Sequence, residues 1–312
     1  MISKDFLLEE TRQGYTISHE MKEVWAVTID IAQHLVDVCQ RHGLQCWMDS
    51  GTLLGAVRDG GFIPWDDDID FVMLRKDYDR LVKIAADEFQ PPYFFQTTYS
   101  DEDYYCGHAQ LRRTDTSAIN RTQLNKRHCQ GIFVDIFVLD GFIENPVLRF
   151  LHRTTTMLIR KAIHGQLRHP EENTSVGKKI GSLVSKAIGC MVGYRRLFRW
   201  YEAMFRMIDA DTHERISLLS FRYRSHRHVR HRSSYKSMEF IPFEGEMFPA
   251  PNNTDDALRC NYGADYITPR QAPNDHGEMY FDANTPYTES IELLRRQPEL
   301  FDERIALLYH TK

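Results

Sequence analysis

Residues 48 to 74 read MDSGTLLGAVRDGGFIPWDDDIDFVML. Four of the five positions 66–70 are aspartates, and the chain then runs straight into Phe71, Val72, Met73 and Leu74. Adjacent like charges repel, and carboxylates beside an apolar core are costly unless something positive compensates them. A bound cation is the first candidate. DIDFVML alternates as a strand does, which sends Asp68 and Asp70 to one face and Asp67 to the other, with Asp66 joining the pair if the strand begins that early. Two carboxylates at this spacing can grip one hard cation, or bridge two, as oxygen ligands suited to Mg²⁺ or Mn²⁺. An acidic turn explains one or two aspartates by capping, but not Asp70, which stands between Ile69 and Phe71.

Working outward, LQCWMD reads as a short strand entering Ser50-Gly51-Thr52, and TLLGAVR as a brief helix. A strand-to-helix junction exposes backbone N–H groups that favour phosphate. Gly51 permits close approach, and the hydroxyl of Thr52 adds a donor. A Ser-Gly-Thr turn that merely caps a helix has the same sequence, so its weight comes from lying some fifteen residues upstream of the paired aspartates. Arg58, further along the helix, is a candidate for the same phosphates. GIFVDIFVLD, 131–140, is the most strand-like stretch, with seven β-branched, aromatic or leucine side chains in ten positions. Asp135 stands in its middle and requires a metal, a basic partner or a proton. If the two strands are neighbours, three carboxylates converge; an arginine partner is the rival for Asp135. Asp140, at the end of the stretch, reads as a turn residue.

The 312 residues suffice for one large domain or a catalytic domain with an added lobe. Met21, Val24, Thr28, Ile31, Leu35 and Val38 recur at helical spacing over 19–42, and KDYDRLVKIAADEF returns to a helix. Short strands are expected at YFFQTT, GHAQLRRT and TSAIN. After Asn145 the pattern turns helical, at 146–167, 176–192 and 195–210, before a strand-like KSMEFIPFEGEMF and a short helix near DDALRCNYG. The expected division is therefore a core at 1–144, a basic helical insertion at 145–234 and a segment at 235–312 returning to the core. The fold class is α/β (α+β), a mixed sheet core with a helical insertion.

A net charge of -5 makes no case for nucleic acid as partner. It hides eleven Lys/Arg against two Glu between Arg149 and Arg199, and five Arg with three His and no acid in 221–232. A basic surface facing an anionic substrate or membrane is one reading, a solvated helical face or mobile loop the other. The six cysteines show no metal-ligand or CxxC spacing, which fits reduced thiols in a cytoplasmic protein. The N-terminus lacks the pattern of a signal peptide, and the most apolar later stretches are too short and too interrupted by charge to span a bilayer. The expected location is cytoplasmic, with peripheral contact at the inner membrane face left open.

The run D-x-GTLLGAVR-x-x-GFIPWDDDID, followed by GIFVDIFVLD, then FEGEMFPAP with NYGADY and His276, resembles the LicD family, related to fukutin and fukutin-related protein. The likeness covers roughly 20–140 and 238–278; the basic helical middle is not part of it. The resemblance implies a nucleotidyltransferase-like fold in which Asp68, Asp70 and Asp135 bind metal and Gly51 and Thr52 lie against phosphates. It also implies transfer of phosphocholine, or a related polyol phosphate, from CDP-choline or another CDP-linked donor to a sugar hydroxyl. The acceptor would be a glycan or lipid-linked oligosaccharide. A reaction on the same fold that attacks the α-phosphate of a nucleoside triphosphate and releases pyrophosphate is the alternative.

In the phosphotransfer reading Asp135 or His276 accepts the acceptor's proton, though Asn-Asp-His-Gly is equally a plain turn. A choline head group needs aromatic faces, for which Trp65, Trp47, Tyr104 and Tyr105 are candidates beside their more ordinary fate in the core. Of Arg112 and Arg113 on one strand, only one can face the site, and Arg112 is the candidate. Glu244 is a candidate for positioning the acceptor.

Overall fold

The computed structural model describes residues 4–165, 187, 191–220, 229–270 and 277–309. The expected helix at 176–192 falls almost wholly outside them, as do His276 and residues 221–228 of the arginine-histidine segment. The chain divides into two compact units, Met1–Val138 with Ser233–Lys312, and Leu139–Arg232. It is a mixed α/β protein with a curled mixed sheet.

In the first unit a hairpin of β1 (Glu10–Arg12) and β2 (Tyr15–Ile17) leads into α1 (His19–Arg41). Ser18 caps α1 by accepting the Met21 N–H at 3.2 Å, and the whole apolar stripe from Met21 to Val38 is buried as its spacing predicts. There follow β3 (Trp47–Met48), α2 (Ser50–Arg58), β4 (Asp70–Leu74), α3 (Arg75–Glu88), β5 (Tyr93–Gln96), β6 (Ala109–Arg113), β7 (Ser117–Ile119) and β8 (Phe133–Gly141). The sheet runs β3-β4-β8-β6-β5. Its pairs β3–β4, β5–β6 and β6–β8 are antiparallel. β8 is buried along its whole length, which is why its sequence is nearly continuous in apolar side chains.

The second unit holds the end of β8, α4 (Pro146–Gly165), α5 (Tyr194–Arg206), β9 (Arg215–Ser217) and β10 (Val229–His231). Asp140 is not a turn residue. It lies fully buried within β8, opposite Ser217 of β9. No helix among the described residues is long and apolar enough to cross a membrane.

The chain re-enters the first unit with the antiparallel hairpin β11 (Met238–Phe243) and β12 (Glu246–Pro251), then α6 (Thr254–Tyr262). β13 (Tyr280–Asp282) pairs with β7, and α7 (Tyr287–Arg296) and α8 (Glu299–Tyr309) close over that pair. Ile119, Tyr280, Ile291, Leu294, Phe301 and Ile305 form the core there.

One polar clasp in the first unit fixes the turn that leads into the acidic run. Glu244, expected to position an acceptor, is instead buried in the protein. It is ion-paired with Arg12 and accepts the Phe62 N–H at 3.0 Å. Its own N–H donates to Gly60 O at 2.9 Å. A Cβ at Gly61 would lie 2.1 Å from the Glu244 carboxylate, so only glycine lets the turn come this close. Phe62 stacks on Trp25 at 4.4 Å, and the Trp25 indole N–H donates to Asp66 O at 3.0 Å. Beside the clasp, Lys22 is fully buried, with Nζ 2.8 Å from Glu10 Oε2 and over the rings of Phe6 and Trp25. Burial and the neighbouring Arg12 guanidinium push its pKa down to about 8, with Glu244 opposing them.

Removing the clasp carboxylate takes their partner from two Arg12 nitrogens and the Phe62 amide, leaving Arg12 its pairing with Glu10, so Glu244→Ala is expected to lower folding stability by about 2 kcal/mol, read from the urea midpoint. Between pH of about 8 and the ordinary lysine value of 10.5 the unfolded chain keeps a proton on Lys22 that the folded chain has released. Raising the pH through that window therefore favours the folded state. The stability of the wild type relative to Lys22→Met should rise in paired urea titrations between about pH 7.5 and about pH 9.5; a flat or falling difference contradicts the depressed pKa.

Candidate active site

The backbone places the acidic side chains. At the β3–α2 junction the Asp49 N–H donates to Asp70 O at 2.9 Å, and the Asp70 N–H donates to Thr52 Oγ1 at 2.8 Å. Asp70 is thus held at both its amide and its carbonyl. On the other side of β4, the Asp135 N–H donates to Ile69 O at 2.9 Å, which sets the middle of β8 beside the 68–70 segment. As a result Asp68, Asp70 and Asp135 each offer a carboxylate oxygen within 4.8 Å of the other two. β4 begins at Asp70, so Asp68 lies in the approach to the strand and not on it; alternation alone does not bring the pair together.

Asp66, Asp67 and Asp68 form a second such group, but Asp67 is turned to other work. It is buried and accepts the Tyr309 hydroxyl at 2.5 Å, which ties α8 to the acidic run. Asp66 packs against the first turn of α2, where a Cβ at Gly51 would lie 2.5 Å from its Oδ2. A side chain at position 51 would turn the Asp66 carboxylate away.

Desolvation, and then the charges of Asp68, Asp135, Asp49 and Asp66, push the Asp70 carboxyl well above the usual carboxylate range. A divalent cation would reverse the electrostatic part of that cost, and the converging donors are all hard oxygens. The residues present therefore fit Mg²⁺ or Mn²⁺. Asp135 behaves in the opposite sense. Its burial favours the neutral form, but His108, Gln110 and Arg112 outweigh it and hold the carboxyl below the usual range. His108 Nε2 lies 3.0 Å from Asp135 Oδ1, and Gln110 Nε2 donates to the same oxygen at 2.7 Å. Arg112 in turn donates to Gln110 Oε1, Gln96 Oε1 and Gly131 O, each at 2.5 Å. Gln110 stands directly opposite Asp135 in the β6–β8 register, and Arg112 follows two residues on along the same face.

Several expected site residues lie elsewhere. Arg112 is buried, with its guanidinium nitrogens donating to Gln96, Gly131 and Gln110. Arg113 points the other way, to Asp30 and Asp115. Arg58 lies at the far end of α2, paired with Asp59, so it does not join the Ser50-Gly51-Thr52 turn. The Thr52 hydroxyl is engaged by the Asp70 amide, and Ser50 Oγ donates to Asp49 Oδ2 at 3.0 Å with Ser50 at a φ of 47°. Trp65 is half-buried, edge-on to Tyr15 at 6.3 Å. Trp47 and Tyr104 are core residues, and the Tyr105 hydroxyl donates to Asp103. His108 and Gln110 were not singled out from the sequence. Their signal was a polar side chain at every second position, 108, 110 and 112, in an otherwise apolar stretch.

Comparison with known proteins places this geometry. Residues 43–169 match the LicD/FKTN/FKRP nucleotidyltransferase domain family. The chain is 34% identical over 128 residues to the lipopolysaccharide cholinephosphotransferase LicD of Haemophilus influenzae, covering 40% of this chain and 46% of that protein. It is 30% identical over 102 residues to an uncharacterized protein of Rickettsia prowazekii, covering 30% of this chain and 36% of that one. It is 40% identical over 48 residues to the ribitol 5-phosphate transferase FKRP of Homo sapiens, covering 15% of this chain and 10% of that protein. The chain spans less than half the length of each of these relatives. Asp68, Asp70 and Asp135, together with His108, Gln110 and Arg112, all fall inside residues 43–169, and over that stretch the chain carries a LicD family domain.

Proposed function

We propose that this protein is a metal-dependent glycan phosphotransferase, moving phosphocholine or a related polyol phosphate from a CDP-linked donor to a sugar hydroxyl of a cell-surface glycan precursor. The observation that carries this reading is the meeting of Asp68, Asp70 and Asp135 within the family domain. Relatives of that domain are named as transferases of cholinephosphate and of ribitol 5-phosphate.

Asp68, Asp70 and Asp135 would hold a divalent cation, Mg²⁺ or Mn²⁺, which when bound supplies positive charge against the donor diphosphate. The acceptor oxygen attacks the phosphorus bearing the choline or polyol, a new P–O bond forms in line, and the P–O bond to CMP breaks with CMP leaving. The acceptor's proton passes to Asp135, whose ionised form His108 and Gln110 favour. Both hold Oδ1, fixing the rotation of the carboxylate. A loose phosphoryl transition state asks little strength of this base. Ser50 and Gly51, in the first turn of α2, are the positions from which backbone amides meet donor phosphate. Trp65 offers an aromatic face to a quaternary ammonium.

The match to a nucleotidyltransferase domain also favours a second reading, attack on the α-phosphate of a nucleoside triphosphate with release of pyrophosphate. Products separate the two. With Mg²⁺, CDP-choline, CDP-ribitol or CDP-glycerol and an acceptor should yield CMP, whereas pyrophosphate from CTP supports the second reading.

Asp70→Asn is expected to lower CMP release by at least about 100-fold and to abolish the Mg²⁺-dependent part of the donor's thermal shift, with the metal-free melting temperature no lower than that of the wild type. Turnover at the wild-type rate in this variant sinks the metal assignment. Gln110→Ala frees the Asp135 carboxylate from one partner and leaves it in place, so the Mg²⁺ concentration for half-maximal activity should rise about tenfold or more. An unchanged requirement, with activity lost only through unfolding, would make the β6 chain purely structural.

A further inference from the structure

Helix α4 of the second unit carries an outer face that the fold does not cover. Val147, Leu148, Phe150, Leu151, Met157 and Leu158 are 42–66% exposed. At about 100° per residue they span roughly half the circumference of the helix. The opposite face carries His152, Thr156 and Ile163, all buried. His152 ties it to α5, lying edge-on to Phe205 at 5.3 Å with Nε2 3.0 Å from Met204 O. The apolar face is therefore not a helix laid down with the wrong side inward, since α4 has a second, inward side that packs normally.

The charges around this face have one sign. α4 contains Arg149, Arg153, Arg160 and Lys161 and no acidic residue. Arg153, Arg160 and Lys161 are exposed at or beside the apolar face. Leucine and phenylalanine on one face with arginine and lysine at its margins make up the pattern of a helix lying in the interface of a bilayer. We infer that the second unit docks through the apolar face of α4 on an anionic lipid surface, with the arginines and lysine against the head groups. A second copy of the chain suits the face less well. A two-fold pairing through α4 would set the same cations against one another with no acid on the helix to offset them.

This inference is independent of the transferase reading and is tested apart from it. The full chain is sedimented with vesicles of phosphatidylcholine alone and of phosphatidylcholine with phosphatidylglycerol at about three to one. Binding to the anionic vesicles is expected to exceed binding to the neutral ones about tenfold or more, and to weaken with salt. The double variant Leu151→Asp/Leu158→Asp changes two exposed side chains. It should keep the wild-type melting temperature and CMP release with a water-soluble acceptor, but lose vesicle affinity about tenfold or more. Asp70→Asn should bind vesicles as the wild type does, so failure of the transferase reading leaves this result standing. Equal binding to both vesicle types, or a double variant that binds as the wild type, overturns the inference. So does a concentration-dependent dimer that the double variant dissolves, which would give the face to a second copy.

Discussion

Asp70 sits where Asp49, Asp66, Asp68 and Asp135 all oppose its negative charge, in a place where its carboxyl is also stripped of water. No fold gathers carboxylates in this way to gain stability, because each adds to the cost of the next. The backbone nevertheless secures the arrangement at every point. Asp49 and Thr52 hold Asp70, Ile69 holds Asp135, and Trp25 and Tyr309 hold Asp66 and Asp67 from outside. Carboxylates held together in this way suit the divalent cation proposed above, whose charge would offset their repulsion.

The distribution of the protein's own cations agrees with that. Arg112, the guanidinium that bears on Asp135, donates to Gln110, Gln96 and Gly131 and not to Asp135 itself, which was the arrangement that competed with a metal for that residue. It acts from behind, through Gln110, while His108 meets Asp135 directly. Asp135 is thereby kept ionised, whereas burial and the neighbouring carboxylates push Asp70 the other way. The cluster is thus polarised: Asp135 is fixed and kept ionised by neighbours behind it, and Asp70 bears the cost of the crowding.

Much of this was legible in the sequence because it rests on local pattern. The helical spacing of Met21 to Val38, the apolar run around Asp135 and the aspartates at 68 and 70 each announce themselves within a few residues. What was not legible is partnership across the chain. Nothing near Glu244 in sequence shows that Arg12 and Phe62 will claim it, so an acid beside a conspicuous glycine read as functional when it is a clasp. Arg58 looked close to the Ser-Gly-Thr turn in residue count, but a helix carries its two ends apart by about 1.5 Å per residue. Thr52 was read as a phosphate contact; in the structure its hydroxyl accepts the Asp70 amide, a partnership that residue spacing does not show. His108, Gln110 and Arg112 show the converse failure, since their alternation was visible but only the β6–β8 register reveals that it faces Asp135.

The clasp and the site depend on one another through register. Side chains on a strand change face with every residue, so a slip of one position in the chain entering β4 would send Asp70 to the side that Ile69 now occupies. The turn before β4 is rich in glycine and therefore inherently loose, with Gly60 at a φ of 72° and Gly61 admitting no side chain. Left to itself it would not define where the acidic run begins. Glu244 grips both its carbonyl and its amide sides, at Gly60 and Phe62, and Arg12 anchors Glu244 in turn. Phe62 is then locked between Trp25 and Phe243. Segments from both ends of the chain thus converge on a turn that carries no chemistry of its own, because the spacing of the carboxylates a few residues later is only as exact as the position from which the strand starts.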